Sequence, residues 1–205
     1  MPSKYFWAGF GFLSIIFHLT LIFSGLVPNL ISRPLHMALA LPWAFVFLSN
    51  TPFQRYTGYV FTLLGLIATF WVAYNADLLV DQYGYISESY QLWIAAILLL
   101  TVLEMARRCI GWPLPLVAAI ALCYGMFGQY IPGEFGHPGT PLGSFLGTLT
   151  IAEGGIWGKL TGVSVSIVAI FVIFGAVLNA GEAGQGFMNL ALTAAGRLRG
   201  GAAKV

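Results

Sequence analysis

The sequence predicts an all-α integral membrane protein with about six transmembrane helices and one further interfacial or re-entrant helix. Hydrophobic residues make up 59% of the chain and charged residues only 8%, whereas an ordinary soluble domain carries about 25% charged residues. Several apolar runs have the length of about 20 residues that crosses a bilayer as a helix. None shows the alternating polarity of a membrane barrel strand, so the backbone can be satisfied in lipid only by helices.

Six segments are candidates for the spanning helices. The first begins after Lys4 and stays free of charge as far as Ile31. It is longer than the roughly 7–15 apolar residues of a signal peptide, and we interpret it as an uncleaved first helix. The second is short and contains Pro42. The six predicted spans cover residues 6–26, 34–48, 58–76, 90–106, 113–131 and 162–180.

The stretch 141–158 is a separate case, because it is only weakly apolar and contains Glu153. We interpret it as an interfacial or re-entrant helix that does not cross the membrane. Proline and glycine mark the boundaries of its neighbours. The sequence Ile110-Gly-Trp-Pro113 is expected to break the chain after the fourth span, and Ile131-Pro-Gly133 to close the fifth.

The charges in the loops favour a cytoplasmic N-terminus. The loop after the third span contains acidic residues and no Lys or Arg, and is expected to lie outside: Asp77, Asp81 and Glu88. The inside then holds the basic residues that the positive-inside rule requires there: Lys4, Arg55, Arg107 and Arg108. Arg33 is the exception, because this orientation places it outside.

Several function classes find no support in the sequence. A net charge of +2 is too small to suggest a nucleic-acid partner. The three histidines are scattered and the two cysteines form no Cys-x-x-Cys pair, so no metal site is expected. There is no phosphate-binding loop, no Gly-x-Ser-x-Gly and no His-Glu-x-x-His. We therefore expect a protein that is not an enzyme and has no cofactor, and whose surroundings are the lipid bilayer.

Glu104, Arg107 and Arg108 form the densest group of charges. Spacings of three and four residues place Glu104 beside both arginines on one helix face. The favoured interpretation is a local ion pair at a cytoplasmic helix end. The alternative is a contact that docks one group of helices against another.

Glycines and isolated polar groups supply the remaining candidates. Gly154, Gly158 and Gly162 recur every four residues, which predicts a shared helix face suited to close packing or, alternatively, to sliding. The pair at 154–155 is also expected to break a helix. Glu153 and Lys159 lie near the start of the sixth span, where an interfacial position is favoured over an intramembrane function.

A polar cluster after the sixth span and His18 in the first span each allow two interpretations. A cluster of glycines and polar residues follows the sixth span: Asn179, Gly181, Glu182, Gly184 and Gly186. We favour a solvated turn for this cluster over an ion site. His18 lies within the first span, where contact with a neighbouring helix is favoured over a proton relay.

A series of short motifs resembles the fused permeases of tripartite ATP-independent periplasmic (TRAP) transporters, most closely the TAXI-type branch. It begins with Leu103-Glu-Met-Ala-Arg-Arg108, followed by Gly111 and Leu114. It continues through Tyr124-Gly-Met-Phe-Gly128, Ile131-Pro-Gly133, Glu153-Gly-Gly-Ile-Trp-Gly158 and Phe174-Gly-Ala176. The last motif contains Gly196, Gly200 and Gly201, with Ala202 where family members usually have proline. The order of the motifs carries the resemblance.

The resemblance implies two domains. Residues 1–108 would be a four-helix Q-type domain, and residues 109–205 the first part of a DctM-like, M-type transport domain that continues beyond Val205. It implies a multi-pass symport permease of the bacterial inner membrane. Sodium would be the coupling ion, and a periplasmic substrate-binding protein would deliver an organic acid. The substrate and ion sites would lie mainly beyond Val205, so no ion ligand is assigned.

Two other classes of function remain open at this point. A four-helix unit alone would suit a non-transporting membrane scaffold that anchors a partner protein. A small intramembrane enzyme would need paired catalytic groups at membrane depth, and the sequence suggests none.

Overall fold

The computed structural model describes residues 3–195, and these residues form helices and no β-strand. Six helical stretches are long and apolar enough to cross a membrane, which confirms the predicted fold class. Five of them are Lys4–Ser24, Asn29–Phe47, Pro52–Tyr74, Ser89–Ile110 and Pro113–Tyr130. The sixth lies within Leu142–Ala180, a helical region of 39 residues.

The α-helices are numbered in chain order. They are α1 Lys4–Ser24, α2 Asn29–Pro42, α3 Pro52–Tyr74, α4 Ala76–Asp81, α5 Ser89–Ile110, α6 Pro113–Phe127, α7 Leu142–Thr150, α8 Lys159–Val163, α9 Ala169–Ala180 and α10 Ala183–Ala195. A π-helical turn at Trp43–Phe47 extends α2, and another at Ser164–Val168 joins α8 to α9. Single 3-10 turns occupy Gly128–Tyr130 and Gly155–Trp157.

The chain folds as two compact units. Among the described residues, one consists of residues 24–165, and the other combines residues 3–23 with residues 166–195. The core of the first unit is formed by apolar side chains of α2, α3, α4 and α5, together with Ile151 and Trp157. This unit therefore contains residues from both sides of position 108, and the domain boundary suggested by the resemblance stays a prediction.

Many large apolar side chains lie on the surface of the helices. On α6, Val117 and Ile120 are more than half exposed, and on α9 so is Phe171. Water would penalise such surfaces, whereas the hydrocarbon core of a bilayer accepts them. The exposed apolar surface is consistent with lipid as the solvent of these helices.

Two helices extend further than predicted, and both extensions incorporate arginine. α2 begins at Asn29, so that Arg33 lies inside the helix rather than before it. α5 continues to Ile110 and includes Arg107 and Arg108. The predicted spans ended at these charges because a guanidinium is unfavourable in lipid. In the structure Arg33 and Arg108 donate hydrogen bonds to distant segments of the chain, whereas Arg107 pairs with Glu104 of its own helix.

α7 is too short to cross a membrane by itself. Its nine residues correspond to about 14 Å of helix, against a hydrocarbon thickness of about 30 Å. It lies close to the turn after α4, where the Ile86 N–H donates to the Gly143 carbonyl at 3.3 Å. A methyl group on Gly147 would overlap the carbonyl of Gly84. These features agree with the predicted interfacial or re-entrant helix.

α10 was not predicted from the sequence. The chain turns after α9 at Gly181 and resumes as a helix from Ala183 to Ala195. The glycines of the cluster 179–186 were interpreted as part of a solvated turn because glycine can end a helix. The structure shows that only the first of them, Gly181, ends a helix.

Gly58 and Gly65 provide the first testable prediction. Both are buried on α3, two turns apart. A methyl group on Gly58 would overlap the backbone carbonyl of Phe45, whereas one on Gly65 would meet side-chain methyl groups of Leu41 and Thr101. Because a backbone group moves less easily than a side chain, we expect Gly58→Ala to lower the free energy of unfolding by about 1–3 kcal/mol and Gly65→Ala by less.

The measurement is SDS-induced unfolding of the full-length protein in detergent, followed by circular dichroism. The two variants make the same chemical change on the same helix, so each controls for the other. Equal losses of stability would contradict the close approach of α3 to the end of α2.

Candidate functional site

Arg108 connects three helices at one end of the residue 24–165 unit. Its Nη1 donates to the carbonyls of Gln54 at 2.8 Å and Phe45 at 3.2 Å, and its Nη2 donates to Thr57 Oγ1 at 2.8 Å. The guanidinium carbon lies 5.0 Å from the centroid of the Phe45 ring. Arg108 therefore holds α5 against the end of α2 and the beginning of α3.

The local structure explains why a cation is needed at this point. α2 ends in a π-helical turn that includes Phe45, and the last carbonyls of a helix have no partner in a following turn. Ser49 Oγ and Arg108 Nη1 both donate to the Phe45 carbonyl. Basic side chains commonly satisfy helix C-termini in this way, although here the arginine comes from another helix.

Glu104 orients both arginines of α5. Its Oε1 accepts from Arg107 Nη2 and Arg108 Nε, and its Oε2 accepts from Arg107 Nε, each at 2.7 Å. The predicted local ion pair is therefore present. The interhelical contact of Arg108 lies among helices of residues 1–108 and does not extend to α6–α10.

A second group of polar contacts joins α2 to the segment around α8. Arg33 Nη1 donates to the carbonyl of Trp157. The Arg33 guanidinium also lies against Gly162, where a methyl group would be 2.9 Å from Nη2. Arg33 is the basic residue that the positive-inside rule does not explain, and this contact gives it a structural role.

Two more contacts lie along the same face of α2. Asn29 Nδ2 donates to Glu153 Oε2 at 3.1 Å, and His36 Nε2 lies 3.1 Å from Ser164 Oγ. Positions 29, 33 and 36 are separated by four and three residues, which places them on one helix face. We call these three residues of α2 and their partners the α2 polar row.

The α2 polar row was not predicted as a unit. Its signal was available in the spacing of Asn29, Arg33 and His36, but two of these residues were placed outside the predicted second span. Their partners lie more than 120 positions away in the sequence. Local sequence does not reveal such a pairing.

The prediction that Gly154, Gly158 and Gly162 share one helix face is wrong. Gly154 and Gly158 have extended backbones on either side of a 3-10 turn, and only Gly162 lies within α8. The expected helix break at 154–155 is present, since Gly155 has a φ of +45°. Glycine is favoured there because a side chain would be strained in that conformation. The regular spacing of the three glycines thus does not mark a packing face.

The break is anchored by Trp157, which is fully buried. Its indole Nε1 donates to the Thr150 carbonyl at 2.6 Å, and this contact ties the break to the end of α7. Glu153 and Lys159 lie on either side and are both exposed, and their interfacial position stays a prediction.

The remaining candidates are not brought into these groups. Asn179 is exposed near the end of α9, in the other unit. Gly196, Gly200 and Gly201 lie outside the described residues. His18 contacts the carbonyl of Ser14 at 2.6 Å, within its own helix. In residues 3–195 there is no group of three or more His, Cys, Asp or Glu that could hold a metal ion.

The comparison with protein families gives one match. The model of the tripartite ATP-independent periplasmic transporter, DctM component, matches residues 97–205. No curated protein and no solved structure matches the chain. The matched region begins within α5 and covers more than half of the chain. The matched family and the six membrane-length helices together show that this chain belongs to the DctM component family of tripartite ATP-independent periplasmic transporters.

Proposed function

We propose that the chain is part of a fused, TAXI-type permease of the bacterial inner membrane that couples uptake of an organic acid to sodium entry. A periplasmic binding protein would deliver the substrate. The match of residues 97–205 to the DctM component carries this proposal. The motif order that ends at Val205 supports the TAXI-type assignment. A non-transporting scaffold is not favoured, because the matched family consists of transporter components.

The described helices supply a framework in this proposal. The Arg108 contacts and the α2 polar row hold α2, α3, α5 and α8 together, and we assign them no contact with substrate. Sodium and substrate would bind at broken helices, where free backbone groups coordinate ions and carboxylates. Sodium is the coupling ion in this proposal and no other cofactor is invoked.

Uptake by the full-length protein in proteoliposomes tests the proposal. With the cognate binding protein and a radiolabelled organic acid in the outer solution, an inward sodium gradient is expected to drive accumulation without ATP. Replacing sodium by potassium, or leaving out the binding protein, is expected to abolish accumulation. Uptake that continued without a sodium gradient would refute the coupling, and uptake without the binding protein would refute the delivery step.

A further inference from the structure

A small polar cavity lies between the turn after α2 and the end of α5. Its volume is about 110 Å³, which is space for several water molecules. All but one of the residues around it are polar or charged: Leu48, Ser49, Asn50, Gln54, Arg107 and Arg108. The cavity is therefore a polar recess on a largely apolar protein.

The charge around the cavity is positive. Glu104 compensates only one of the two neighbouring guanidinium groups, which leaves a net positive charge. Arg108 is engaged by four partners. Arg107 uses Nε and Nη2 for Glu104, and within residues 3–195 its Nη1 donates no hydrogen bond. This side chain can bind an anion without giving up the contact to Glu104.

The surroundings of the cavity favour a lipid as the source of that anion. Leu48, which lines the cavity, is exposed, and so is Ile110, two residues after Arg108 on α5. Trp112 is also exposed, with the Arg107 guanidinium 5.2 Å from its ring centroid. Aromatic residues are typical of the membrane interface. The predicted orientation places this end in the cytoplasmic leaflet, where basic pockets between helices bind anionic headgroups.

We propose that this cavity binds the phosphate of an anionic phospholipid headgroup, with Arg107 as the principal ligand. The acyl chains then lie along the apolar surface beside Leu48 and Ile110. Arg108 contributes charge but keeps its interhelical role, and Asn50 lines the recess from the turn. The proposal does not depend on which solute the protein transports or on its coupling ion.

Native mass spectrometry of the full-length protein with added phosphatidylglycerol tests this site. Arg107→Gln is expected to weaken retention of the lipid about tenfold, because it removes a charge-assisted hydrogen bond. Asn50→Asp, which adds a negative charge to the lining, is expected to weaken it as well. Arg55→Gln is the matched control, because it removes the same charge at the same end outside the cavity, and it is expected to retain the lipid.

Two further arms identify the ligand. Phosphatidylcholine is expected to bind more weakly than phosphatidylglycerol, and inorganic phosphate is not expected to compete at equal concentration. Elution of each variant from a size-exclusion column at the wild-type volume establishes that it is folded. Retention of the lipid at the wild-type level by Arg107→Gln and Asn50→Asp would overturn the site. A loss in Arg55→Gln as large as that in Arg107→Gln would overturn it as well. Competition by inorganic phosphate would overturn the assignment to lipid.

Discussion

Replacing Trp157 by alanine is expected to lower the free energy of unfolding by about 3–5 kcal/mol. Trp157 is fully buried and belongs to the core of the residue 24–165 unit. Its removal would leave a large cavity where the chain turns from α7 to α8. It would also leave the Thr150 carbonyl without the indole donor. SDS-induced unfolding of the full-length protein in detergent, followed by circular dichroism, measures the change.

Trp157→Phe separates the two contributions. Phenylalanine retains most of the apolar volume but cannot donate to the Thr150 carbonyl. We expect this variant to lose only about 1–2 kcal/mol, since an unpaired buried carbonyl is the main defect. If both variants lost the same free energy, the hydrogen bond rather than the packing would dominate. A loss below about 1 kcal/mol in Trp157→Ala would contradict the buried position.

The second large effect is expected at Arg108. Arg108→Gln removes donors from the carbonyls of Phe45 and Gln54 and from Thr57. Several charge-assisted hydrogen bonds are lost together, and the Phe45 carbonyl at the end of α2 loses one of its donors. We expect a loss of about 2–4 kcal/mol in the same unfolding measurement.

Arg107→Gln is the matched control for this prediction. It makes the same chemical change one position earlier, and among the described residues Arg107 forms its ion pair only with Glu104. Because such a partly exposed pair contributes little, we expect a loss below about 1 kcal/mol. Arg108→Lys should be intermediate, since an ammonium keeps the charge but cannot reach all partners in the geometry of a guanidinium. Equal losses at positions 107 and 108 would contradict the interhelical role.

Local features of the sequence predicted much of the fold. The number of membrane-length helices follows from apolar runs, because the backbone in lipid must satisfy its own hydrogen bonds. The break at 110–113 follows from glycine and proline, and Gly111 adopts a φ of +99° there. The ion pairs of Glu104 follow from spacings of three and four residues on one helix. Each of these depends only on neighbours within a few positions.

Contacts between distant segments were beyond local prediction. The regular spacing of Gly154, Gly158 and Gly162 suggested one helix, because spacing carries no information on where a backbone becomes extended. The partners of Arg33 and His36 are 124 and 128 positions away. Their identity depends on which helices pack together, and local periodicity does not determine this.

By itself the sequence determined that this protein is a helical membrane protein, and its motif order pointed to the transporter family that residues 97–205 match. Only the tertiary structure decided which distant groups Arg108 and Arg33 contact. Arg108 donates to the Phe45 carbonyl at the end of α2, and Arg33 donates to the Trp157 carbonyl just before α8. Both roles arise because the carbonyl groups at helix ends and breaks lack a partner within the helix, and lipid offers them no hydrogen-bond donor. The helix that supplies each donor is fixed by packing.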